Sequence, residues 1–170
     1  MALITNDNDL PNKTVWDLIK IRKWTEKGET INLSEGCHLN YELQSIDRNN
    51  KFNLDINREK IELKYSLQTR MNTDISLIRL DYKGYHTNPN SNCEIDIDDP
   101  FYKIHDKCIG KMFINEPHVH IYRKGFGNRW AYPVDTLFNE TNDIKVTLHD
   151  FTKLCNISGY ILQGNLDEYQ

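Results

Sequence analysis

The sequence predicts an α+β fold: an antiparallel β-sheet, built as a meander plus a hairpin, packed against an N-terminal and a C-terminal helix. Three observations predict it. Apolar side chains recur at every second position over residues 37–82 and again over 118–132. They recur at helical spacing near both ends of the chain. Short Asn- and Gly-containing turns separate the alternating runs.

Residues 1–12 are polar, end in Leu10-Pro11 and are expected to form a loose arm. A helix is expected over 13–26, capped by Asn12 or Thr14, with Val15, Trp16, Ile19 and Trp24 on or near one face. Its other face carries Lys20, Arg22, Lys23 and Lys27 and reads as solvated, and Gly28 is a natural stop. The meander follows. Leu39, Tyr41 and Leu43 alternate with polar neighbours, as do Phe52, Leu54 and Ile56, then Ile61, Leu63, Tyr65 and Leu67, then Ile78, Leu80 and Tyr82. Residues 83–117 show little pattern and are expected to be a long acidic loop or insertion in an otherwise single domain spanning 1–170. The alternating run from His118 to Arg123, the turn at Gly125-Phe-Gly127-Asn128 and the return over Arg129–Tyr132 predict a hairpin that Pro133 ends. Ile144, Leu148, Phe151 and Cys155 form the core stripe of the C-terminal helix, capped by Asn142 or Asp143. Residues 156–170 are expected to fray or add a short last element.

Composition narrows the function classes. The 170 residues hold 21 Lys+Arg against 25 Asp+Glu, a net charge of −4, which argues against sequence-blind nucleic-acid binding by the whole surface. Five acids against one Lys over 94–106 amount to −4, so one segment accounts for the whole imbalance. Cys37, Cys93, Cys108 and Cys155 form no C-x-x-C pair, which excludes a zinc ribbon or a redox dithiol. No apolar run approaches membrane length and no signal-peptide core precedes the fold, so the expectation is a cytoplasmic protein without a membrane partner.

The chemistry concentrates in the hairpin. Alternation places His118, His120 and Tyr122 on one face and Val119 and Ile121 on the other. The apolar pair belongs to the core, so the imidazoles are expected to face a groove. Residues 118–133 hold Arg123, Lys124 and Arg129 and no acid. His86 reaches the same face if its strand is a neighbour. Such a set suits metal-independent RNA cleavage, one His as base and one as acid, with His86 and Tyr122 as further candidates. Arg123, Lys124 and Arg129 would hold phosphate, and Trp130 and Tyr132, with Tyr122, would stack unpaired bases. The same residues allow a metal reading: His86, His118 and His120 as ligands of zinc or manganese, with Asp81 or an acid from 94–99 as a fourth. A third possibility is that the His pair only braces the sheet.

The segments Phe52-Asn-Leu-Asp-Ile-Asn-Arg58, Leu77-Ile-Arg-Leu-Asp81, His86-Thr-Asn-Pro89 and His118-Val-His-Ile-Tyr-Arg-Lys-Gly-Phe-Gly-Asn-Arg-Trp-Ala-Tyr-Pro133 resemble those of a family of small, functionally unassigned proteins of bacteria and mobile elements. Its signature reads H-x-N-P, then H-x-H-I-Y-R-x-G-[FY]-G-x-[KR]-W-A-Y-P. The resemblance covers about residues 50–135, and the acidic stretch over about 90–116 departs from it. Some similar small proteins act as anti-CRISPR factors, including ones that destroy guide RNA. The resemblance implies an anti-defence or toxin-like protein of the bacterial host cytoplasm. Its implied partner is RNA, or an RNA–protein complex such as a CRISPR effector with its guide.

Three functions are therefore expected in order. The first is a metal-independent endoribonuclease of guide or other single-stranded RNA. The second is a non-catalytic inhibitor whose Glu94, Asp96, Asp98 and Asp99 mimic nucleic acid in a basic channel. The third is a His-ligated metal-dependent hydrolase.

Overall fold

The computed structural model describes residues 10–60, 65–72, 74–139 and 141–162. The chain runs α1 (Asn12–Lys20), β1 (Lys23–Ile31), β2 (His38–Ser45), β3 (Lys51–Arg58), β4 (Tyr65–Met71), β5 (Ile75–Thr87), β6 (Met112–Arg123), β7 (Gly127–Pro133), α2 (Ile144–Leu154) and β8 (Ile157–Leu162), with 3-10 turns at Tyr102–Cys108 and Val134–Thr136. Among the described residues the strands form one sheet in the order β7-β6-β5-β4-β3-β2-β1-β8. Every neighbouring pair is antiparallel except β1 and β8, which run parallel. The fold is α+β, as the periodicity predicts.

Strand register turns the alternation of each segment into two faces. Leu39, Ile56, Leu67, Leu80, Val119 and Tyr132 stand side by side across six strands. Tyr41, Leu54, Thr69, Ile78, Ile121 and Trp130 form the next row. Most of these side chains are buried in one core, joined there by Val15 and Ile19 of α1 and by Ile144, Leu148 and Phe151 of α2. Trp130 meets His105 of the 3-10 turn at 4.4 Å between ring centroids, and Phe101 stacks on Tyr132 at 4.1 Å. The opposite face carries the intervening polar rows. One is Asn40, Asp55, Gln68, Arg79, His120 and Ala131, and the other is His38, Asn57, Ser66, Asp81, His118 and Pro133.

Several expectations need correction. The first helix ends at Lys20, and Trp24 and Gly28 lie in β1. Its N-cap is Pro11, with no side-chain cap. Lys23 is buried: its ammonium donates to the carbonyls of Ile19 (2.7 Å), Ile21 (3.0 Å) and Cys155 (2.9 Å), so one cation serves the C-terminal ends of both helices. Burial pulls its pKa down to about 8. The arm is not loose at its end, because Leu10 is buried and donates its N–H to the Tyr122 hydroxyl at 3.1 Å; residues 1–9 lie outside the described residues, as do 61–64 of the expected third strand. The loop expected over 83–117 is much shorter, since β5 continues to Thr87, β6 begins at Met112 and a 3-10 turn lies between. Residues 157–162 form β8, the short last element.

The outer halves of β5 and β6 decide what happens to the polar face. Register shifts fall between Asp81 and Gly84 and between Gly84 and Tyr85, and Lys83 and Asn115 take positive φ (59° and 54°). Such bulges bend a strand pair. Here the pair brings His86 and Phe113 against the histidine rings on the polar face. Gly84 is required by close approach: a Cβ there would lie 2.8 Å from Cε1 of His118. Asn88 then fastens this arm to the edge of the sheet. Its amide donates to the carbonyls of Ala131 and Cys108, each at 2.8 Å, and its oxygen accepts the Ala131 N–H at 2.8 Å. One side chain thus caps the exposed edge of β7 as a strand would. Asn88→Ala removes the side-chain partner of both main-chain groups of Ala131 and one of two donors to the Cys108 carbonyl, and is expected to lower the unfolding free energy by about 2 kcal/mol, read from urea midpoints at unchanged slope.

Candidate metal centre

On the polar face, two cross-strand pairs stand next to one another: Arg79 opposite His120 and Asp81 opposite His118. Such directly opposed residues bring their side chains within contact distance. Nε2 of His120 lies 3.3 Å, and Nε2 of His118 3.8 Å, from Oδ2 of Asp81. The potential ligand atoms of Asp81, His118 and His120 all fall within 4.8 Å of one another, and this is the group of that kind found among the described residues. Two ligands about 2.1 Å from a tetrahedral ion are separated by about 3.4 Å, so the carboxylate and both nitrogens already stand near coordination spacing.

Backbone contacts fix both imidazoles. His118 donates its Nδ1–H to the carbonyl of Glu116 (2.9 Å), and His120 donates its Nδ1–H to the carbonyl of Asn128 (3.0 Å). Each ring therefore presents a bare Nε2 to Asp81. This is the arrangement by which main-chain carbonyls orient metal-binding histidines. Arg79 supplies the positive charge that the converging acceptors need. Its Nη2 donates to Nε2 of His120 (2.9 Å) and its Nε donates to Oδ2 of Asp81 (3.0 Å), with Nη2 also in ion-pair contact with that oxygen at 2.9 Å.

Electrostatics agree with neutral rings. Burial pushes the pKa of His118 down and that of His120 down to about 4, although Asp81 pulls both upward. Burial alone would raise the Asp81 carboxyl, but the Arg79 guanidinium beside it outweighs this and the group is held at about 2. The side chains of both histidines are 1–2% exposed, whereas Asp81 and Arg79 are 18% and 29% exposed and open the cluster to solvent.

The other sequence candidates divide. His86 is half-buried with its ring centroid 4.5 Å from that of His120, so it borders the cluster. Its Nε2–H is directed to the Arg129 carbonyl (2.9 Å) and Oδ1 of Asn88 (3.0 Å), which removes it from the expected three-histidine ligand set; Asp81 takes that place. Tyr122 is buried at the end of β6, with the Leu10 N–H on its hydroxyl. The expected phosphate site does not form at Arg123. That side chain has no exposed surface and is held by Asp99 through two hydrogen bonds of 2.6 and 3.2 Å. Trp130 and Tyr132 are fully buried and offer no face to a base. Lys124 and Arg129 are exposed. In the acidic tract, Glu94, Asp96 and Asp98 are exposed but Asp99 is buried with Arg123 on the other side of the sheet, away from the histidines. Arg79 was missed by the sequence reading. Its signal was present, because Ile78 and Leu80 belong to the core and Arg79 and Asp81 must then share the histidine face.

The sequence profile of a family of unknown function (DUF6978) matches residues 10–157. No curated protein and no solved structure matches the chain.

Proposed function

Because the chain belongs to the DUF6978 family of unknown function, we propose its activity from the site: Asp81, His118 and His120 bind a divalent transition-metal ion, zinc or manganese, for metal-dependent hydrolysis. One observation carries the reading. Two imidazoles whose Nδ1–H groups are fixed by main-chain carbonyls aim bare Nε2 atoms at one carboxylate oxygen, at 3.3 and 3.8 Å. Three protein ligands leave coordination positions for water and substrate, which is the pattern of catalytic rather than structural sites. A bound ion would lower the pKa of a water molecule and polarise a phosphoryl or carbonyl oxygen.

We favour this reading over metal-free acid–base catalysis by the same pair, which needs one protonated imidazole, because burial lowers the pKa of both rings. The resemblance in the 118–133 block makes RNA, free or within a defence complex, the first substrate to assay. The test is EDTA-stripped protein titrated with zinc against a chromophoric chelator, followed by incubation with single-stranded RNA. One equivalent is expected to bind. Asp81→Asn and His120→Gln, each of which weakens or removes a direct ligand, are expected to weaken it by more than the ~10–100-fold typical of losing an outer hydrogen-bond partner of a ligand. RNA cleaved equally well in EDTA would return the assignment to acid–base chemistry, and zinc binding unaffected by either substitution would end the metal reading.

A further inference from the structure

The cluster contains its own cation. Nε2 of His120 and Oδ2 of Asp81, two atoms that a metal ion would use, accept hydrogen bonds from Nη2 (2.9 Å) and Nε (3.0 Å) of Arg79, and Nη2 also lies 2.9 Å from the carboxylate oxygen. Without that donor, the 3.3 Å contact between the two acceptors would set lone pairs against each other. Resting on the metal reading above, we propose that Arg79 is the resident counter-cation of the site, that a divalent ion and the guanidinium exclude one another, and that the displaced guanidinium holds an oxyanion of the substrate.

Asp81 and Arg79 cancel, and the two imidazoles are neutral, so the arginine-filled cluster has no net formal charge. A divalent ion at the same acceptors meets the guanidinium at near-contact distance, where two cations repel strongly in a partly buried setting. Both histidines cannot yield: the rings are pinned to main-chain carbonyls and are almost wholly buried. Arg79 can, because its long side chain is 29% exposed and the other polar groups of its row, Gln68 and Asp55, lie along the same face. Loading therefore leaves two net positive charges, those of the ion and the arginine less the carboxylate, beside one another at the mouth. An oxyanion, a phosphate or phosphodiester group, is the ligand chemistry that neutralises both, and a guanidinium fork binds such oxygens in pairs.

The exclusion also gives the metal-free protein a closed, satisfied cluster. Metal affinity is set by the competition and not by the ligands alone. Arg79→Gln keeps a donor to Asp81 but removes the charge, and Arg79→Ala removes both.

Zinc affinity is measured by chelator competition on the full chain for wild type and both variants, with thermal melts to confirm that each folds. Inorganic phosphate is then titrated into the zinc-loaded and EDTA-treated proteins by calorimetry. Both variants are expected to bind zinc about tenfold more tightly than wild type, the effect of losing one charge-assisted competitor. Zinc-loaded wild type is expected to bind phosphate about tenfold more tightly than zinc-loaded Arg79→Gln, and EDTA-treated wild type more weakly than either. Zinc affinity equal to or weaker than wild type in Arg79→Gln overturns the exclusion. Tighter zinc with unchanged phosphate binding overturns the anion-holding role. No zinc binding by any of the three proteins overturns the metal reading itself, and the inference with it.

Discussion

Arg123→Met is expected to lower the unfolding free energy by about 3–5 kcal/mol while leaving zinc affinity at Asp81, His118 and His120 unchanged. The side chain of Arg123 is wholly buried and that of Asp99 is 1% exposed. Two hydrogen bonds join them, and Nε of Arg123 donates to the Tyr132 hydroxyl at 2.9 Å. The carboxylate also accepts the Phe101 N–H (2.9 Å) and the Trp16 indole N–H (2.7 Å), so one ion pair ties β6, β7, the 3-10 turn and α1 together. Burial opposes the charge on Asp99, yet Arg123 and these donors keep its carboxyl below its usual pKa. Removing the guanidinium strands that charge in the core, and this outweighs the modest net worth of the pair itself. The double variant Arg123→Met/Asp99→Asn is therefore expected to recover part of the loss, by urea denaturation. A single-variant loss below about 1 kcal/mol would mean that the pair is solvated.

Acid should destabilise the protein from below pH 6.5, earlier than carboxylates alone would. Folded His120 stays neutral down to about pH 4, whereas in the unfolded chain it takes up a proton near its ordinary 6.5. Between those values the unfolded state binds more protons, so stability falls as pH falls, by on the order of 3 kcal/mol across the window. His118, lowered mainly by the same burial, adds in the same direction. Asp81, held at about 2 against an ordinary 3.8, contributes stability that is present above 3.8 and is lost as pH falls toward 2. In EDTA-treated protein, the slope of unfolding free energy between pH 6.5 and 4 should flatten in His120→Gln. A slope identical to wild type would mean that the ring titrates normally in the folded state.

Much of the fold was written in local alternation. The parity of Phe52, Leu54 and Ile56, of Ile78 and Leu80, and of Val119 and Ile121 assigned the two faces of the sheet, and it placed His118 and His120 away from the core. It could not show that the polar face would be covered there. That follows from bulges at Asp81–Tyr85 and from the Asn88 tie to Ala131 of β7, 43 positions away. The H-x-N-P segment thus has a mechanical reading, since His86 and Asn88 both reach the edge of β7. Residues 23–26 fall within the helix expected over 13–26 because Trp24 continues the helical spacing, whereas their strand pairing comes from β2 and from β8 at the far end of the chain. Arg123 was misread for a different reason. Its parity with Val119 and Ile121 already put it in the core, but a basic residue reads as solvated unless its partner is known, and Asp99 lies 24 residues upstream. The same register argument withdraws Trp130 and Tyr132 from any stacking role.

The central claim is that Asp81, His118 and His120 form a metal centre. The most direct measurement is anomalous diffraction at the zinc edge from crystals of the full chain grown with one equivalent of zinc. The account predicts one strong peak about 2.0–2.2 Å from Nε2 of His118, Nε2 of His120 and a carboxylate oxygen of Asp81, with the Arg79 guanidinium moved off both acceptors. A peak bound elsewhere, or no peak with Arg79 still on Asp81 and His120, would contradict it.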